Sequence, residues 1–266
     1  MKRSGSKAHH ARKAALATEA HWDRKAEDSQ DDDLQPVMVE DPWVNRCIER
    51  AQQPIVRDAI TSVVNALGAQ AESVLDLGCG IGRWIPILAP NFRHYHGVEI
   101  SESMLQIARR RFPDRHFSKL QKMVLPADDQ SVDFALSIAV LHHNSYVNQN
   151  ALLRELHRIL RPGGELLILE SNHPRTESGI SVFYPRPSED WVDTIEEHGF
   201  LLLKKTGTTY HFLTDIVSRL LRSDKWLRSP PGRASLWLDS YVTPAIAQYL
   251  PERLQTRLAM RFRRIN

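Results

Sequence analysis

The stretch Val74-Leu75-Asp76-Leu77-Gly78-Cys79-Gly80-Ile81-Gly82-Arg83-Trp84 constrains this chain more than any other. A short apolar run carries an acid, and three glycines follow at every second position. The run predicts a buried strand, and the glycines a loop that a ligand approaches closely. Only glycine turns the backbone this sharply and leaves no Cβ between main chain and ligand. An acid at the strand end disfavours a phosphate in the loop and suits a ligand with a positive charge or with donor groups. A nicotinamide dinucleotide fingerprint needs Gly-x-Gly-x-x-Gly. Here the third glycine comes one residue early, and the loop follows an acid.

Strand and helix signals alternate on either side of the loop. Apolar spacings of three and four predict helix over residues 41–67, with Pro54 marking a break between two helices. Strands are expected at residues 73–77, 94–100, 116–120, 132–140, 165–170 and 201–208. The run at 132–140 is nearly continuous in apolar residues, as buried parallel strands are. Between them come helical segments at 82–88, 101–111 and 148–160, with Ser101 as an N-cap. Ser188 caps a further helix that Gly199 closes. Over 255–264, Leu258, Met260 and Phe262 alternate with Arg257, Ala259, Arg261 and Arg263, a period of two. The expected fold class is α/β: a doubly wound, mostly parallel seven-stranded sheet with helices on both faces. Its last strand is antiparallel and at an edge, with a helical insert before it. Ligands on such sheets lie at the carboxyl ends of the strands, where the glycine loop sits.

The 266 residues suit one large domain. Residues 1–40 read as a mobile N-terminal tail with a short helix at His21-Trp22-Asp23, and 41–266 as a single domain with its ligand-binding core at 70–175. Residues 210–252 form an aromatic helical insert (Tyr210, Phe212, Trp226, Trp237, Tyr241), either a substrate lid or a cover for the sheet. The net charge is +3, concentrated at the two ends, so charge alone implies no nucleic-acid partner. The two cysteines, Cys47 and Cys79, have neither zinc nor disulfide spacing, and no metal site is expected. No apolar run approaches the ~20 residues of a membrane span. The basic start lacks an apolar signal core, so a cytoplasmic location is expected. Residues 1–17, basic, Ala-rich and free of acids, also have the composition of an amphipathic transit peptide. Nothing in the pattern fixes an oligomeric state.

Five segments agree in order and spacing with one known family. Asp76-Leu77-Gly78-Cys79-Gly80-Ile81-Gly82 resembles the first motif of class I S-adenosylmethionine-dependent methyltransferases, and Gly97-Val98-Glu99-Ile100-Ser101 their second-strand motif. Leu125-Pro126 with Ser131-Val132-Asp133-Phe134-Ala135-Leu136-Ser137 resembles the stretch leading into the fourth strand. Leu141-His142-His143 and Leu160-Arg161-Pro162-Gly163-Gly164 resemble the two segments beyond it. The resemblance implies S-adenosylmethionine as cofactor and places Asp76, Gly78, Cys79, Gly80, Glu99, Ile100, Gln121 and Ser137 around it. Asp76 suits the methionine ammonium and Glu99 the ribose hydroxyls, as the acid does in dinucleotide folds. Ile100 suits the adenine ring, and Cys79 is a small filler of the loop. The family often places an acid against the adenine amino group; here that place falls on Gln121, whose carbonyl oxygen can accept the same hydrogen bond.

The expected function is methyl transfer to a small or medium-sized acceptor, at a hydroxyl oxygen. Ser137-Ile138-Ala139-Val140 stands where a motif of the Asn-Pro-Pro-Tyr type would favour nitrogen. His142, His143 and His173 are candidate bases for the hydroxyl proton. Methyl transfer mainly needs alignment, so a base can also be absent. A methyltransferase acting on RNA or protein and a non-catalytic cofactor-binding scaffold are the alternatives from other classes.

Overall fold

The computed structural model describes residues 18–27, 42–68, 71–174, 183–208, 229–246 and 257–265. Residues 18–27 form helix α1. The chain continues through α2 (Pro42–Leu67), β1 (Ser73–Leu77), α3 (Ile85–Leu88), β2 (His94–Glu99), α4 (Glu102–Arg111), β3 (His116–Lys119) and β4 (Val132–Ile138). After a 3₁₀ turn at Leu141–His143 come α5 (Tyr146–Ile159), β5 (Leu160–Ser171), α6 (Ser188–Glu196), β6 (Phe200–Thr208), α7 (Pro230–Ile246) and β7 (Arg257–Arg264). The strands form one seven-stranded sheet in the order β3-β2-β1-β4-β5-β7-β6.

Period-two alternation sends neighbouring strand residues to opposite faces. Val74, Phe134, Leu136, Leu167 and Leu169 pack with α2, α3 and α4. Leu75, Leu77, Ala135, Leu166 and Ile168 pack with α5 and α6. The expected doubly wound sheet is therefore present, with β1 to β5 parallel. The place of the last strand is corrected. β7 runs antiparallel between β5 and β6, and β6 is the edge strand. Glu165 supplies one reason. It is buried on β5 directly opposite Arg263, whose Nη2 lies 2.9 Å from its Oε1, so β7 neutralises a charge that β5 would otherwise bury alone.

Pro54 does not divide α2, which runs unbroken through it. Ile48 and Ala51 before the proline and Val56, Ala59, Ile60 and Val63 after it all bury against the same core. That shared burial outweighs one missing N–H. Ser188 is not a cap either: it is the first residue of α6 after Pro187, and its Oγ accepts from Lys205 Nζ at 2.9 Å. Arg161-Pro162-Gly163-Gly164, expected only to end α5, runs into β5, with a register shift between Val132 and Phe134 on β4. Ser101 does cap α4, its Oγ accepting from Met104 N–H at 3.2 Å.

α7 packs along α2, where the Arg50 guanidinium lies 4.9 Å from the Tyr241 ring centroid. Trp237 and Tyr241, expected in a core or a lid, remain half exposed on this helix. Tyr210, Phe212 and Trp226 lie outside the described residues.

One buried polar node fastens the lower end of the sheet. Asp133 Oδ2 accepts from Glu72 N–H, Ser73 N–H and Ser73 Oγ–H at 2.8–2.9 Å, and Oδ1 pairs with Arg161 at 2.6 Å. Asp133→Ala removes the acceptor of two backbone donors and breaks the Arg161 ion pair at once. Urea denaturation should show a loss of about 3 kcal/mol.

Candidate functional site

The glycine loop is built as its sequence requires. Gly78, Gly80 and Gly82 have φ of 74°, 52° and 85°, all left-handed. A Cβ on Gly78 would sit 2.2 Å from Val140 Cγ2, so the loop also needs glycine to pass beneath the chain leaving β4. Gly78 N–H and Cys79 N–H both donate to Val98 O, which anchors the loop on β2. Cys79 turns into the core, where a Cβ on Gly97 would meet its Sγ at 2.9 Å. It fills space, as expected of it.

A cavity of about 420 Å³ opens above this loop, at the carboxyl ends of the strands. Asp76, Gly78, Cys79, Gly80, Glu99, Ile100, His142 and His143 all line it. Gln121 and Ser137 do not. Gln121 is exposed in the turn after β3, and its neighbour Leu120 takes the place on the wall. Ser137 is buried inside β4 with its Oγ unpartnered. His173 stands outside the wall, behind Phe183. Among the described residues no group of three or more His, Cys, Asp or Glu side chains could hold a metal ion, and no helix is long and apolar enough to cross a membrane.

Asp76 is buried and accepts a hydrogen bond from Tyr95 Oη at 3.0 Å. Burial pushes its carboxyl up to about 7, with the nearby Glu99 charge adding to the rise and Tyr95 and Arg83 opposing it. Glu99 is also raised by burial, against three backbone donors: Gly80 N–H on Oε2, and Ile100 N–H and Ser101 N–H on Oε1. A carboxyl that burial raises to about 7 gains from a cation placed beside it, because the opposite charge favours its ionised form. The residues present therefore fit a donor that carries an ammonium near Asp76 and ribose hydroxyls near Glu99, whose carboxylate has lone pairs to spare.

On the far wall His142 Nδ1 hydrogen-bonds to Glu170 Oε2, with both side chains buried. Glu170 also accepts from the backbone N–H groups of Val140, Leu141 and His142. Burial would raise this carboxyl, but the His142 imidazole and the backbone donors outweigh it and hold Glu170 below the usual carboxylate range. An ionised carboxylate can only accept, so Nδ1 carries the proton and Nε2 is the ring nitrogen left to meet another partner. His143 faces α1: its ring lies 5.1 Å from that of Trp22, and its carbonyl accepts from Thr18 Oγ1 at 3.0 Å. His173 has its pKa lowered, first by burial and then by Arg257 and His142.

Helix α1 closes the cavity from above through Thr18, His21, Trp22 and Lys25. It is held by Asp23, which accepts from Ser101 Oγ at 2.6 Å, and by a Glu19–Lys119 ion pair at 2.8 Å. A helix was expected at these residues, but no sequence signal tied it to the cavity. Val140 and Ala139, the latter at φ 59°, were likewise not read as wall residues.

A family model for a methyltransferase domain matches residues 75–168. The demethylmenaquinone methyltransferase of Thermotoga maritima is 33% identical over 60% of this chain and 68% of its own length. The chain belongs to the class I S-adenosylmethionine-dependent methyltransferases. The O-methyltransferase cnsE of Penicillium expansum is 29% identical over 57% of this chain, a match that spans 61% of that enzyme's length. An S-adenosylmethionine-dependent methyltransferase from Mesorhizobium loti shares the fold, with a TM-score of 0.53 at 18% identity over 80% of this chain and 98% of that one. The methyl donor implied by the family is S-adenosylmethionine, the cation that the Asp76 end of the cavity suits.

Burying Asp76 carries a stability cost. A carboxyl raised from 3.8 to about 7 in the fold contributes stability that is fully present below its unfolded value and is lost as pH rises through 7. Asp76→Asn keeps the Tyr95 hydrogen bond and removes the titration. The ligand-free variant should be more stable than the parent at about pH 8, by roughly 2–4 kcal/mol. Denaturation curves should show the gap closing as the pH falls towards 4.

Proposed function

We propose that this chain transfers a methyl group from S-adenosylmethionine to a hydroxyl oxygen of a small or medium-sized acceptor. The observation that carries the reading is His142 on the cavity wall, paired with the buried Glu170. Oxygen is a poor nucleophile while it holds its proton, and a histidine with Nε2 free can remove it. Glu170 keeps the ring in that tautomer and stabilises the charge it acquires. The closed volume beneath α1 favours a small acceptor over a macromolecule.

When bound, S-adenosylmethionine supplies an electrophilic methyl group on a sulfonium. The chain's own residues do the rest. Asp76 takes the ammonium, Glu99 takes the ribose hydroxyls, and the backbone of Gly78 and Gly80 meets the amino-acid end. Ile100 and Leu120 offer apolar surface to the adenine. His142 accepts the acceptor's proton, while α1 keeps water from the reacting atoms.

Two measurements test the reading. Calorimetry with S-adenosylhomocysteine, which keeps the ammonium, should show constant affinity above pH 7. Below it the affinity should fall about tenfold per pH unit as Asp76 protonates, and Asp76→Asn should remove that dependence. His142→Ala should lower kcat on a hydroxyl acceptor by about 10²–10⁴ and leave S-adenosylhomocysteine affinity unchanged. An unchanged kcat would assign the rate to alignment alone.

A further inference from the structure

Three cationic side chains line the cavity: Lys25, Arg83 and Arg257. Lys25 belongs to α1, the cover. Arg83 acts on Asp76 and stacks at 4.5 Å over Trp84, so it serves the donor end. Arg257 stands elsewhere, as the first residue of β7, paired with Ser171 on β5 and Thr208 on β6. Three strand spacings, ~14 Å, separate β7 from β1 and its Asp76.

The carboxylates around the cavity are committed to other partners. Asp76 holds Tyr95, Glu99 holds three backbone N–H groups, Glu49 accepts from Gln53, and Glu170 holds His142. Further down β7, Arg261 pairs with Asp58 and Glu165, and Arg263 with Glu165. Among the described residues, Arg257 has no carboxylate within ion-pair reach. Asn144 gives a second, independent sign of an absent ligand. It lines the cavity, its Nδ2 donates to Val140 O, and its buried Oδ1 has no donor. A partly buried guanidinium with no carboxylate beside it among the described residues and a buried acceptor without a donor can each take a partner from a ligand in the cavity.

We infer that Arg257 binds an anionic group, a carboxylate or a phosphate, carried by the methyl acceptor. This deepens the methyl-transfer reading and rests on it. The cavity gives the anion its purpose. Arg257 and His142 line the same cavity, and the Arg257 backbone pairs with Ser171, next in sequence to the Glu170 that holds His142. An anion clamped by the guanidinium fork fixes one end of the acceptor, and the hydroxyl at the other end meets His142. Asn144 Oδ1 accepts from a donor on the same molecule. His173, outside the wall, is depressed by burial and then by Arg257.

Calorimetry on the full chain saturated with S-adenosylhomocysteine tests the assignment. The probes are 4-hydroxybenzoate against 4-hydroxybenzamide, and 4-hydroxyphenyl phosphate against hydroquinone. At least one anion should bind about ten- to a hundredfold tighter than its neutral partner, and the arm that responds tells carboxylate from phosphate. Arg257→Gln should erase that preference, Arg257→Lys should keep part of it, and S-adenosylhomocysteine affinity should stay at the parent value in both. Equal binding of charged and neutral probes by the parent overturns the assignment. So does a tenfold loss of S-adenosylhomocysteine affinity in Arg257→Gln, which would give the guanidinium to the donor's carboxylate. The same titrations without S-adenosylhomocysteine keep the two claims apart. A parent that binds no S-adenosylhomocysteine but still prefers the anion refutes the donor and supports the Arg257 site.

Discussion

Glu99 is the interaction on which the site depends. One of its oxygens takes the N–H of Gly80 and the other those of Ile100 and Ser101. It thereby fixes the glycine loop after β1 and the turn after β2 with one buried carboxylate. Ser101, so placed, caps α4 and reaches Asp23, which seats α1 over the cavity. Loop, helix start and cover share a single anchor. An acid in this position also supplies acceptor capacity where ribose hydroxyls would lie, so the group that builds the site is the one proposed to read the donor.

The two ends of the cavity handle buried charge in opposite ways. Asp76 is raised to about 7, because little but Tyr95 and a distant Arg83 offsets its burial. Glu170 is as deeply buried and lies below its ordinary range, because the His142 imidazole and three backbone donors surround it. The first carboxyl is left wanting a cation. The second is satisfied by the chain itself and can therefore orient a histidine. Two carboxyls whose surroundings drive their pKa values apart underlie the two proposed roles, donor recognition at Asp76 and orientation of His142 by Glu170.

Much of the donor end was legible in the sequence. Asp76, the loop glycines and Glu99 lie at the ends of adjacent strands, so short local spacings and a strand–loop–helix rhythm locate them. The adenine side was less so. Gln121 follows from counting along the chain, but the turn at Lys122 and Met123 adopts left-handed φ values and leaves Gln121 outside while Leu120 faces in. Ser137 has the sequence position of a wall residue, yet the alternation of β4 turns it into the sheet. The histidines after β4 could be named, but not ranked, since the partner that separates His142 from His143 lies 28 residues away on another strand.

The sequence alone determined the parallel α/β framework, the glycine loop and the placing of Asp76 and Glu99 at adjacent strand ends, because these rest on periodicity and on contacts a few residues apart. Only the tertiary structure decided that β7 enters between β5 and β6, that α2 runs through Pro54, and that α1 covers the cavity. The same holds for the wall where His142 meets Glu170 and for the entry of Arg257 into the same cavity. Those outcomes depend on burying charge and apolar surface between segments far apart in the chain, and no local pattern encodes which distant partner supplies the missing half.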